Sequence, residues 1–244
     1  MAYLLHIETS TMVCSAGLSN DGEMIAYRED KSASYAHSRR LSVFLGELFE
    51  DASIKPADLS AVAVSQGPGS YTGLRIGVSS AKGLCYALDI PLIAVDTMLV
   101  LSVNALKHLS GQQMLQQDQE DEHGETLLCP MIDARRMEVY YALFTPALKN
   151  VRPTQAQVVD RHTFADLLKS NRVIFFGDGA AKCRTAITGP NAVFLEDVWP
   201  TASGMVAEAE RLFHLGDFVD VAYFEPFYLK DFLAGTPKVK GLYT

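Results

Sequence analysis

The sequence predicts a two-lobed α/β protein, and three features carry that prediction. An apolar strand-like run, Ala61 to Gln66, leads into Gly67-Pro68-Gly69-Ser70-Tyr71-Thr72-Gly73-Leu74-Arg75-Ile76-Gly77, and a segment with helical spacing follows. The strand pattern that opens the chain starts again at Leu127. Between the two lies Gly111 to Glu125, with five glutamines, five acidic residues and almost nothing apolar. Such a stretch cannot bury enough surface to offset its ordering entropy, so it reads as a solvated insertion. At 244 residues, 48% of them aliphatic or aromatic, the chain can fill two cores.

Taken in order, Tyr3 to Glu8 reads as a buried strand closed by the polar turn Thr9-Ser10-Thr11. Val13 to Leu18 and Met24 to Tyr27 are two further strands, joined through Asp21-Gly22, whose residue types suit a tight hairpin. Leu41, Phe44, Leu45, Leu48 and Phe49 recur at helical spacing, and Pro56 ends that helix. After the glycine turn, Leu74, Val78, Ala81 and Cys85 fall on one helical face, and Ser70 or Thr72 can cap its start. Leu92 to Val95 is a short strand, followed by a helix from Thr97 to about His108. In the second unit, Leu127 to Ile132, Val139 to Phe144 and Val173 to Phe176 are strands, Ala180 begins a helical stretch, and Met205, Ala209, Leu212 and Phe213 mark a late amphipathic helix. The apolar Glu225-Pro226-Phe227-Tyr228-Leu229 is expected to dock on the body. The divisions expected are a first lobe at 1–104, a polar insertion at 105–126, a second lobe at 127–216 and a tail at 217–244.

Composition excludes several functions. A net charge of −8 opposes nucleic-acid binding over a broad face, so any such role needs a local patch or a partner. Cys14, Cys85, Cys129 and Cys183 are scattered in or beside apolar runs, as buried free thiols in a reducing compartment would be. With no basic leader and no apolar stretch of spanning length, the expectation is a cytoplasmic protein without membrane contact. No histidine pair falls at metal-ligand spacing, so no metal site is expected. The glycine turn lacks the Gly-Lys pair of a Walker loop and misses the dinucleotide fingerprint at Thr72. No Gly-x-Ser-x-Gly elbow occurs.

Two strand ends remain as candidate chemistry. Glu8, Thr9 and Ser10, together with Gly69 and Ser70, are candidates for nucleotide binding, since a carboxylate can hold a hydrated metal and hydroxyls can meet a phosphate; an acidic turn is the alternative. Asp133, Arg135, Arg136 and Glu138 read as a salt-bridged turn. Gly73, Gly77, Ser80 and Gly83 leave one side of their helix nearly bare, at about 1 kcal/mol per mid-helix glycine, which points to close packing within or between chains.

Ile7-Glu8-Thr9-Ser10, the Gly67 to Gly77 stretch, Asp133-Ala134-Arg135-Arg136-Met137-Glu138-Val139-Tyr140 and Glu225 to Leu229 together resemble the TsaB family, also called YeaZ. The resemblance runs from residue 1 to about residue 230 and leaves Gly111 to Glu125 without counterpart. It implies the actin, sugar kinase and Hsp70 (ASKHA) fold with two RNase-H-like lobes. It also implies work in threonylcarbamoyladenosine modification of tRNA beside a catalytic paralogue, TsaD. Where that paralogue has a metal-binding His-x-x-x-His, this chain has Thr97 and Leu101. The resemblance thus implies a non-catalytic, activating subunit with no catalytic residue or cofactor of its own, ATP and metal being held by partner subunits. The partner face it implies comprises Leu41, Phe44, Leu45, Leu48, Gly73, Leu74, Gly77, Ser80 and Ala81. A TsaE-like ATPase, tRNA reached through the complex, and a homodimer in isolation complete the expected partners. The competing readings are an ATP-dependent phosphotransferase or ATPase of the same fold, with Glu8 and Asp133 on magnesium, and a peptidase, for which no triad is found.

Overall fold

The structure is a computed structural model and describes residues 1–31, 37–111 and 124–229. The polar insertion, apart from its ends, and residues 230–244 lie outside the described residues.

The first lobe opens with β1 (Tyr3–Glu8), β2 (Cys14–Asn20) and β3 (Glu23–Asp30). Asp21 and Gly22 both take positive φ (46° and 82°), which is the twist a two-residue hairpin needs. Helix α1 (His37–Ala52) follows, then β4 (Leu59–Gly67), α2 (Tyr71–Leu88), β5 (Leu92–Asp96) and α3 (Thr97–Gly111). The second lobe runs β6 (Thr126–Asp133), β7 (Glu138–Phe144), β8 (Asn150–Val158), α4 (Ala165–Ser170), β9 (Arg172–Phe176), α5 (Ala180–Cys183) and β10 (Ala192–Phe194), and α6 (Val206–Leu215) closes the helices.

The two sheets repeat one plan. The first has the order β3-β2-β1-β4-β5, and the second, read from its far edge, β8-β7-β6-β9-β10. In each, the first strand is antiparallel to the second and parallel to the fourth, and the fourth is parallel to the fifth. This duplication is the two-lobed RNase-H-like arrangement of the actin, sugar kinase and Hsp70 fold. Strands β8 and β10 escape the sequence pattern because both are edges: β8 carries Pro153 and no regular apolar alternation, and β10 is three residues long.

Alternation along β1 divides the first lobe. Leu5 and Ile7 pack with Val62 and Val64 under α1 and α2, whereas Leu4, with Ala61 and Ala63, packs against Val100 of α3 and against Met205 and Ala209 beside and within α6. Two expected boundaries therefore shift. Helix α3 continues to Gly111, with Ala105 and Leu109 buried, so the insertion does not begin at 105. Helix α6 serves the core of the first lobe rather than the second, because its apolar stripe faces β1, β4 and β5. The segment after α6 returns along α2. The Val219 amide donates to the Leu92 carbonyl (2.9 Å), Lys82 donates to the Ala222 and Phe224 carbonyls (3.0 and 3.1 Å), and the Phe227 amide donates to the Gln66 carbonyl (2.7 Å). Tyr228 then packs on Tyr71, with ring centroids 5.1 Å apart, as expected of a docked tail.

Candidate partner interface and the paired strand-end turns

The turn after β1 is sealed by the start of α2. Ser70 caps that helix by accepting from the Gly73 amide (3.2 Å), and its own amide donates to the Ser10 carbonyl (2.6 Å). The Thr9 hydroxyl donates to the Gly73 carbonyl (2.8 Å), and the Glu8 carboxyl accepts from the Ser10 amide (2.7 Å). A Cβ on Gly69 or Gly73 would collide with the Ser10 or Thr9 carbonyl oxygen, and one on Gly77 with the Thr9 hydroxyl. These glycines therefore let the helix lie directly on the turn. Glu8, Thr9 and Ser10 are fully buried as a result, and burial pushes the Glu8 carboxyl above its usual range. The structure brings together Glu8, Thr9, Ser10, Gly69 and Ser70, the residues expected to bind nucleotide, and packs them on one another. Burial also holds His6, next but one along β1, down to about 3.

The expected partner face is corrected by the same packing. Leu41, Phe44, Leu48, Leu74 and Ala81 belong to the internal core beneath the two helices, and Gly73 and Gly77 meet Thr9. Only Leu45 and Ser80 keep partial exposure, at the margin. The outward faces of α1 and α2 carry a different set, of which the sequence reading named only Gly83 and grouped it with Gly73 and Gly77. Val43 is 46% exposed and Tyr86 86%, and beside them Gly46 and Gly83 have nothing within 4 Å of where a Cβ would stand. Spacing holds the signal: Gly83 lies six residues beyond Gly77, about 240° round the helix at 100° per residue, so the two cannot serve one surface. Among the described residues, none packs on those two outward glycines closely enough to need the missing Cβ.

The turn after β6 is open. The Asp178 carboxyl accepts from the Asp133 amide (2.9 Å), and Asp133 accepts from the Arg135 amide (2.6 Å) while pairing with Lys182. Lys182 also donates to the Glu138 carbonyl (2.6 Å). Burial, reinforced by the nearby Asp133 charge, pushes Asp178 up to about 6. The salt-bridged turn expected of Asp133, Arg135, Arg136 and Glu138 forms differently: among the described residues Asp133 pairs with Lys182 of α5, and neither arginine side chain takes part. Thr97, buried at the start of α3, accepts from the Gly67 amide (3.1 Å), and Leu101 is in the core. Among the described residues no three His, Cys, Asp or Glu side chains gather as metal ligands, and no helix is long and apolar enough to cross a membrane.

A family model described as TsaD, tRNA N6-adenosine threonylcarbamoyltransferase, matches residues 30–224. The tRNA threonylcarbamoyladenosine biosynthesis protein TsaB of Escherichia coli K12 is 27% identical over 238 residues, 95% of this chain and 96% of that one. The chain belongs to the TsaB family. The TsaB of Bacillus subtilis strain 168 is 35% identical over 144 residues, 58% of this chain, and the match spans about half (54%) of that relative. The solved YeaZ of Pseudomonas aeruginosa covers 94% of this chain at a TM-score of 0.73 and 23% identity, which shows the shared TsaB fold, and all of that chain is matched. Thr97 and Leu101, which the resemblance sets against the paralogue's histidines, are both fully buried.

Proposed function

We propose that this chain is the non-catalytic, activating subunit of a cytoplasmic complex that transfers a threonylcarbamoyl group to N6 of adenosine 37 in tRNAs reading codons that start with A. It acts by binding a TsaD-like paralogue through the outward faces of α1 and α2. The observation that carries the reading is the pair of uncompensated glycines, Gly46 and Gly83, beside exposed Val43 and Tyr86. Two bare helix faces permit close helix-to-helix approach, and the aromatic and aliphatic side chains supply buried area at about 1.5 to 3 kcal/mol each when fully covered. In isolation the same face pairs with a second copy, and a TsaE-like ATPase joins the heterodimer. ATP and metal are held by those partners. The engagement of Thr9 and Ser10 by the start of α2 supports this over the phosphotransferase reading, since both residues are already taken up in internal packing.

The test is threonylcarbamoyl transfer to tRNA by purified TsaD-like and TsaE-like proteins supplied with threonylcarbamoyl-adenylate, with and without this chain. Activity should appear only when the chain is added, while the chain alone neither turns over ATP nor modifies tRNA. Equal activity in its absence would defeat the proposal.

A further inference from the structure

The β6–β7 hairpin tip holds two adjacent arginines in a conformation unfavourable for them. Arg135 (φ 75°) and Arg136 (φ 52°) are both left-handed, at turn positions that Asn-Gly or Gly-Gly would occupy with less strain. Both are exposed. Among the described residues neither guanidinium is in an ion pair, whereas Arg28, Arg40, Arg184 and Arg211 each are. The nearby acids are engaged elsewhere: Asp133 with Lys182 and the Arg135 amide, Asp178 with the Asp133 amide, Asp160 with the His162 amide and the Thr163 hydroxyl. The tip is also braced. Ala134 donates to the Glu138 carbonyl (3.1 Å), Glu138 to the Arg135 carbonyl (3.1 Å) and Val159 to the Met137 carbonyl (2.8 Å).

We propose that this tip is an RNA-phosphate site, in which Arg135 and Arg136 grip the sugar-phosphate backbone of the tRNA. The proposal rests on the reading above, that the chain works in a complex acting on tRNA. Guanidinium forks match phosphate oxygens in pairs of hydrogen bonds, and a braced turn loses little freedom on binding. In a chain of net charge −8, two arginines free of acidic partners form the kind of local patch that RNA contact needs.

The experiment is fluorescence anisotropy with a labelled unmodified tRNA transcript over a range of salt, using the full chain alone and mixed with its TsaD-like partner. Compared are the wild type, Arg135→Gly/Arg136→Gly and Arg135→Lys/Arg136→Lys. The glycine pair should bind tRNA about tenfold more weakly, with the slope of log K against log salt shallower by about 1.5. Its Tm should hold or rise, because glycine relieves the turn. The lysine pair should keep the slope. Unchanged affinity and slope in both preparations would overturn the proposal. So would loss of partner pairing with tRNA affinity intact, which would make the tip a protein contact. Should the chain fail to pair with the partner at all, its tRNA binding alone still decides.

Discussion

The turns after β1 and β6 hold equivalent places in the two lobes and have opposite fates. Thr9 and Ser10 lie under the glycines of α2, fully buried, while Asp133 to Met137 stand at the surface, braced by Asp178 and Lys182. The difference follows from what succeeds the parallel neighbour of each. After β4 comes an eighteen-residue helix whose first turns are bare enough to lie on the turn, and after β9 comes only the four-residue α5. Duplication thus supplies two similar strand ends, and the glycine content of one helix decides which stays open.

Acid should separate the two lobes most strongly. The His6 imidazole protonates near 6.5 when unfolded but only at about 3 in the fold, so its contribution is complete above pH 6.5 and drains as pH falls toward 3, by on the order of 4 kcal/mol. Asp178 has the reverse sign. Its carboxyl ionises near 3.8 unfolded and about 6 folded, so stability is greatest below 3.8 and declines by about 3 kcal/mol as pH rises through 6. Thermal melts from pH 3.5 to 8 should show His6→Asn flattening the acid limb and Asp178→Asn raising Tm only at the upper end. A single slope common to both variants would contradict the contrast.

Glycine substitutions sharpen the comparison with smaller effects. Gly73→Ala drives a Cβ into the Thr9 carbonyl and should destabilise by about 3 kcal/mol, whereas Gly83→Ala meets open space and should stabilise by about 1 kcal/mol. Urea denaturation of the two variants measures both signs at once. A stabilised Gly73→Ala would mean that α2 does not rest on the turn.

Much of this was legible in the sequence. The strand, glycine turn and helix, the Ser70 cap, the Asp21-Gly22 hairpin and the restart at Leu127 all follow from local chemistry and periodicity. The face of Leu74, Val78, Ala81 and Cys85 was readable as buried for the same reason. What stayed hidden was the use of the glycines: spacing sets Gly83 apart from Gly77, but only the approach of Thr9 shows which of the two sides is the inner one. Glu8 was ambiguous in a similar way: a carboxylate at a strand end fits both a metal ligand and a buried turn acceptor, and its burial beneath α2 is set by packing that the local sequence does not show.

The central claim, that the outward face of α1 and α2 is where the chain meets its partner, is tested most directly by titrating a TsaD-like protein with wild-type chain and with Gly83→Arg in a calorimeter. The account predicts that the variant keeps the wild-type Tm and loses measurable pairing. Undiminished pairing by Gly83→Arg, and likewise by Gly46→Arg, would contradict it and move the interface elsewhere on the molecule.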